Sequence, residues 1–219
     1  MKYFAIFALA TAALLGSCKD SSSDAVKTDI PITPVKQGTV FTYQLSNSIN
    51  GVPKAADSMK MADSIAVLDT IVKGKRCIAC YDGFGKDGFH YLSYEADGNI
   101  AVLIDEGDEV LVKLPISVKS STTILDTIFV NSGDPDHWIF SAQRIGTEER
   151  TIGSRSVTSV KAVVTWQASK KDSPLVTAEI FSYWFAPELG YFTSTSLEYL
   201  PVVNGGADAV GKRELIDWK

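Results

Sequence analysis

Cys77-Ile78-Ala79-Cys80 is the spacing in this chain that comes nearest to chemistry. A dithiol so spaced does redox work when a helix N-terminus lowers the pKa of its first thiol. Here Lys75-Arg76 precede it and Tyr81-Asp82-Gly83 follow it, which predicts a strand running into a turn. Residues three apart on a regular strand face opposite sides, so the thiols would meet only across a strand-end bulge. Buried thiols or a structural disulfide are therefore expected, with a redox pair as the remaining alternative.

The two histidines, His90 and His137, stand far apart, and with two cysteines they make an unspaced zinc set. No Gly-x-Ser-x-Gly surrounds a serine, so a hydrolase triad has no support. Residues 131–136 (Asn-Ser-Gly-Asp-Pro-Asp) are rich in oxygen ligands but lack the spacing of a calcium loop, and a solvated turn is expected. Asp105-Glu106-Gly107-Asp108-Glu109 reads as a charged hairpin tip. Paired carboxylates would meet only in the fold, and nothing in the sequence points to them. No catalytic set emerges: an enzyme is not expected, and neither a metal nor a cofactor.

Residues 1–17 have the layout of a secretory signal, with Lys2 ahead of an uncharged apolar run from Tyr3 to Leu15. That run is too short to cross a bilayer as a helix. It closes on Leu15-Gly16-Ser17-Cys18, which resembles the bacterial lipobox, where a leucine and small residues precede the cysteine that becomes diacylated. The resemblance implies cleavage before Cys18, with palmitate-type chains on its thiol and amine, and a stable membrane anchor. Lys19 stands where an aspartate would mark inner-membrane retention, which favours the outer membrane of the cell envelope. Residues 18–36 then read as the lipidated cysteine and a polar tether, and 37–219 as one domain. Removing the signal lowers Lys plus Arg from 21 to 20 against 26 acidic residues, a mature charge of −6. With no basic cluster, this argues against nucleic acid as a partner.

Apolar residues recur at period two. Val160, Ala162, Val164, Trp166 and Ala168 alternate with polar neighbours, as do Phe41, Tyr43 and Leu45, and then Phe181, Tyr183 and Phe185. Asp97-Gly98 and Glu106-Gly107-Asp108 predict hairpins, Gly83, Gly85 and Asp87-Gly88 a break. Pro187-Glu188-Leu189-Gly190 predicts a type I turn with Pro second and Gly fourth. Ile100 to Ile104 is apolar on both faces and so expected to be central. Residues 54–62 fit a short helix or a loop. About ten or eleven strands result, in an antiparallel all-β curved sheet or half-barrel, with a β-sandwich as the alternative.

Three segments carry a further likeness. Gly38-Thr39-Val40-Phe41-Thr42-Tyr43, Lys113-Leu114-Pro115, and the run from Tyr183-Trp184-Phe185-Ala186-Pro187 to Gly190-Tyr191 resemble signatures of β-rich bacterial lipoproteins. That group is similar to the periplasmic lipoprotein carriers, whose half-open barrel has an apolar concave face. The resemblance departs at Glu188, where a glycine is usual, and in the absence of a tryptophan after Leu114-Pro115. On a half-barrel, Trp138, Trp166, Phe181, Tyr183, Phe185 and Tyr191 become candidates to line a ligand cavity, the alternative being that they fill a β core. The partners implied are the membrane, through Cys18, and either an apolar or amphipathic ligand or another envelope protein. Cys18→Ala is expected to abolish incorporation of labelled fatty acid and release the chain from the membrane fraction; labelled, membrane-bound Cys18→Ala protein would contradict the anchor.

Overall fold

The computed structural model describes residues 31–54, 60–81, 89–104, 110–119, 122–131, 134–169, 174–200 and 208–219. The export segment, Cys18 and the tether up to residue 30 lie outside these residues. So do the glycines at 83, 85 and 88, the tip at 105–109, and most of the helix-or-loop segment at 54–62.

Every described element is a strand, and every pairing is antiparallel. In chain order they are β1 (Val40–Ile49), β2 (Val52–Pro53), β3 (Lys60–Val72), β4 (Lys75–Tyr81), β5 (Phe89–Tyr94), β6 (Ile100–Ile104) and β7 (Val110–Leu114). Then follow β8 (Thr122–Asn131), β9 (Asp134–Ile152), β10 (Arg155–Ser169), β11 (Val176–Ala186), β12 (Tyr191–Tyr199) and β13 (Ala209–Trp218). The described residues hold thirteen strands rather than ten or eleven, and the segment from Lys60 onward is strand, not helix. All thirteen described strands belong to one antiparallel sheet whose path does not close into a barrel, which fits a curved sheet or a sheet folded over itself as a sandwich.

The strand order is β7-β6-β5-β4-β3-β1-β13-β12-β11-β10-β9-β8, with β2 on β1. The chain starts at the middle of the sheet, runs out to one edge at β7, jumps to the other edge at β8, and returns. Laid flat, eleven inter-strand steps of about 4.8 Å would separate those edges by roughly 53 Å. The link from Leu114 to Thr122 reaches at most about 29 Å when fully extended. The sheet must therefore curl, and it does. The Thr123 hydroxyl donates to the Lys113 carbonyl, and Arg144 Nε donates to the Ile116 carbonyl at 3.1 Å. The edges meet through these contacts, with no backbone ladder between them among the described residues.

Bulges supply the bending. One extra residue sits on β13 opposite Thr42/Tyr43, on β9 opposite Lys161/Ala162, on β11 opposite Trp166/Gln167, and on β12 opposite Trp184/Phe185. In the last, Thr193 is the unpaired residue. Its hydroxyl donates to the Trp184 carbonyl at 3.2 Å and is itself 2.7 Å from the Ser159 hydroxyl, in a buried pair. The polar groups freed by the bulge are thus satisfied inside the protein.

The curl places one core on the inner face, with Leu92, Ile100, Val112 and Leu114 from one half packed with Phe140, Val164, Phe185 and Tyr191 from the other. Ile100 to Leu103 are buried, as the two-sided apolar pattern requires, although β6 is next to the edge strand β7 rather than central. Asp97-Gly98 forms the expected β5–β6 hairpin, and Lys113 holds the Asp97 carboxyl below its usual range by an ion pair. Behind the turn, buried Asn99 accepts the Ser117 N–H at 3.0 Å and fixes the start of the edge-to-edge link.

The turn at 187–190 forms, with Gly190 N–H donating to the Pro187 carbonyl at 3.2 Å, and a second turn overlaps it one residue earlier. In the overlapping turn Ala186 is the first residue and accepts from the Leu189 N–H at 3.1 Å, so Pro187 is second there and Leu189 fourth. Gly190 is fifth, at φ +64°. Residues 31–36, the described end of the expected tether, lie across this turn. Thr33 N–H donates to the Pro187 carbonyl at 2.8 Å, Val35 is buried, and Val35 N–H donates to the Tyr94 hydroxyl at 3.1 Å. That hydroxyl donates in turn to the Gly190 carbonyl at 2.9 Å, and burial raises its pKa above the ordinary tyrosine value.

A Cβ at Gly190 would lie 2.1 Å from the Thr33 carbonyl oxygen and 2.9 Å from Val35 N. Gly153 has a similar φ of +59° but nothing within 4 Å. Gly153→Ala should cost about 1–2 kcal/mol of backbone strain alone. Gly190→Ala should cost more than about 3 kcal/mol, because the segment at 31–36 must also lift away. Denaturant unfolding of both variants checks this: equal losses would show that the clash is not felt.

Candidate functional site

The curl leaves a cavity of about 400 Å³ between its two walls, within the usual range for small-molecule sites. One wall is β5 and β6, contributing His90, Val102 and Leu103; the other is β1, β13, β12 and β11. Alternation decides what faces inward. On β1 it is Tyr43, Leu45 and Asn47, which pair across to Leu215, Arg213 and Gly211 on β13. Arg213 and Gly211 pair on to Thr195 and Leu197 of β12, and these to Tyr183 and Phe181 of β11. The Thr193 bulge is what puts Phe192 on the same face as Thr195 and Leu197, where regular alternation would have turned one of them outward.

The cavity has a closed end and an open one. Tyr43, Tyr191 and Phe192 at one end are buried, whereas Asn47 is exposed and Leu197 and Gly211 are half-buried at the other. At the closed end His90 Nε2 is hydrogen-bonded to the Tyr191 hydroxyl across the curl, joining the two walls. Phe41 stacks on Tyr191 with centroids 4.5 Å apart, and the Tyr43 hydroxyl donates to the Phe192 carbonyl. The Arg213 guanidinium lies over the Tyr43 ring, 4.6 Å from its centroid. The lining is an aromatic and aliphatic bed with a few polar groups set into it, which suits binding by shape and burial.

Of the six aromatic residues singled out from sequence, Phe181, Tyr183 and Tyr191 line this cavity. Phe185 is fully buried behind it, edge-on to Phe192 at 5.7 Å. Trp138 and Trp166 stand elsewhere, edge-on to each other at 4.9 Å, with Phe140 stacked on Trp166 at 5.9 Å. Alternation in β1 had pointed to Tyr43 and Leu45. His90, Phe192 and Arg213 carried no local signal, since each depends on a bulge or on the wall opposite.

The other sequence candidates stay apart. His137 Nε2 is 2.6 Å from Asp126 on the solvent-facing side, remote in the strand order from His90. Among the described residues no three His, Cys, Asp or Glu side chains gather as a metal set. Cys77 and Cys80 lie within strand β4, both buried and both free thiols. Cys77 Sγ is 3.7 Å from the Lys75 carbonyl, and burial pushes its pKa up.

No family model matches this chain, and no curated protein matches it. Three solved structures are similar over most of their length. A Bacteroides fragilis protein described as exported and YmcC-like in fold has 10% identity and a TM-score of 0.39, covering 86% of this chain and 98% of its own. The Escherichia coli hypothetical lipoprotein YmcC has 10% identity and a TM-score of 0.36, over 81% and 84%. A Parabacteroides distasonis protein described as a lipoprotein has 11% identity and a TM-score of 0.40, over 85% and 97%. None reaches a TM-score of 0.5, and nothing about the chemistry of this chain follows from them.

Burial of both thiols, and at Cys77 the raised pKa that burial brings, withhold the thiolate that reacts. In residues 19–219, Cys77 and Cys80 are expected to resist an aromatic disulfide reagent at pH 8 and to titrate as two thiols in denaturant. Rapid modification of the native domain, or no thiols after unfolding, would overturn this assignment.

Proposed function

We propose that this chain is a lipid-anchored protein of the bacterial cell envelope that holds an apolar or amphipathic ligand inside its curved sheet. The anchor rests on Leu15-Gly16-Ser17-Cys18, and Lys19 favours the outer membrane. The observation that carries the binding role is the cavity of about 400 Å³, walled by Phe181, Tyr183, Phe192 and Leu197 and open at one end. A packed β core leaves no void of that size. An apolar group entering it would gain about 25 cal/mol for each Å² withdrawn from water.

The geometry suits a tethered carrier or sensor. Thr33 is tied to Pro187 at the closed end, so residues 31–36 run away from the cavity mouth and leave it uncovered. A protein-contacting scaffold would want a joined apolar patch. Among the described residues the most exposed aliphatic ones, Ile71 on β3 and Ile124 on β8, sit instead on strands far apart in the sheet.

The described strands and core all lie within residues 31–219, so the domain from residue 19 contains them. Secreted into a periplasm and purified without detergent, it is expected to show a native mass exceeding its denatured mass by one lipid-sized molecule. Leu197→Trp, at the half-exposed mouth, should abolish that adduct at a stability cost below about 1 kcal/mol. An empty wild-type domain that also takes up no added amphiphile would remove the binding role and favour the scaffold.

A further inference from the structure

We propose that residues 31–36 are a latch on the cavity: docked, they hold its two walls together at the closed end, and lifted, they let the walls part and the ligand leave. This rests on the cavity being a binding site and adds how that site is opened. The walls meet through two neighbouring residues of one turn. His90 Nε2 is hydrogen-bonded to the Tyr191 hydroxyl, and further along the same face of β5 the Tyr94 hydroxyl donates to the Gly190 carbonyl at 2.9 Å. Tyr191 is fully buried and lines the cavity, so whatever holds Gly190 in place also holds a wall.

Residues 31–36 complete that junction. The Val35 N–H donates to the Tyr94 hydroxyl at 3.1 Å, so one hydroxyl bridges the strap and the turn of the opposite wall. The Thr33 N–H donates to the Pro187 carbonyl at 2.8 Å, and the Thr33 carbonyl oxygen lies so close over Gly190 that a Cβ there would be 2.1 Å from it. Val35 is buried, and Ile32 and Leu189 are half-buried against the same core. The strap thus touches both walls at the point where they join. Residues 31–36 belong to no strand, so their contacts can break as a local opening without unpairing the sheet. In the chain they stand between Cys18 and β1, and a pull from the N-terminal side reaches the latch before it reaches the sheet.

The test titrates the domain from residue 19 with N-phenyl-1-naphthylamine, a neutral apolar probe whose emission rises when it leaves water. Val35→Asp puts a charge where burial excludes one, and should lift the strap and weaken probe binding at least tenfold. Tyr94→Phe keeps the ring, removes the bridging hydroxyl, and should weaken binding at least threefold. Gly153→Ala strains a turn with nothing packed on it and should bind within twofold of wild type, which separates loss of the latch from loss of stability. Coupling acts in both directions, so saturating probe should slow hydrogen exchange at the Thr33 and Val35 amides of the wild type at least tenfold. Unchanged binding by Val35→Asp while its strap amides exchange freely overturns the latch and leaves the binding role standing. So does equal weakening by Gly153→Ala, or wild-type strap exchange that the probe does not slow. No uptake of the probe by the wild-type domain overturns both. The exchange measurement needs no variant and decides the matter even if Val35→Asp does not fold.

Discussion

The link between β7 and β8 is the constraint on which the architecture turns. A chain that begins in the middle of a sheet, works out to one edge and must resume at the other has two options: a long crossover, or a sheet bent until its edges are near. With seven residues between Leu114 and Thr122, only the second is open. Bending also solves the burial problem of a single sheet. Its apolar face has no second layer to pack on, so it packs on itself, and residues from β5–β7 meet residues from β9–β12 in one core.

The cavity follows from how that bending is done. Four bulges tighten the curl at the β8–β13 side and re-aim individual side chains, and the walls do not come together everywhere. Where they do meet, at Tyr191, the contact is polar as well as apolar: His90 reaches across, and Tyr94 bridges the Gly190 turn to the segment at 31–36. That end is thereby sealed. Towards Asn47, Leu197 and Gly211 no comparable strap crosses among the described residues, and the gap between the walls opens. The outer face is organised separately. Trp184 lies between Lys161 at 4.7 Å and Arg150 at 5.2 Å, and Glu214 ties Arg150 to β13, so the long β9–β10 hairpin is held on the sheet.

Charge is distributed in keeping with these two faces. Ion pairs such as Lys75–Glu95, Lys113–Asp97 and Arg150–Glu214 lie on the outside or at strand ends, where solvent screens them and each contributes little. The inner face carries aromatic rings, hydroxyls and one stacked guanidinium. Polar groups there are mostly engaged with backbone or with one another, which fixes ring orientations, and no acid lines the cavity among the described residues.

Much of the fold was legible in the sequence. Period-two alternation in β1, β10 and β11 marked strands and their inward faces, because side-chain direction on a strand is a local property. Asp97-Gly98 marked its hairpin, and the doubly apolar Ile100–Ile104 marked a covered strand. Phe181, Tyr183 and Tyr191 were found as lining residues because they are large, aromatic and in phase. Trp138 and Trp166 are equally large and in phase, yet they pack at another place along the curl, and only the register of β9 on β10 tells the two groups apart. The sequence by itself determined an all-β antiparallel chain behind a lipobox-like cysteine, through local chemistry and spacing. Tertiary structure alone decided that the sheet is single and bent, that β6 sits beside an edge, and that Gly190 must be bare beneath Thr33. It also decided that His90, Phe192 and Arg213 share one cavity, since each of those facts depends on residues brought together from distant strands by bulges and a short link.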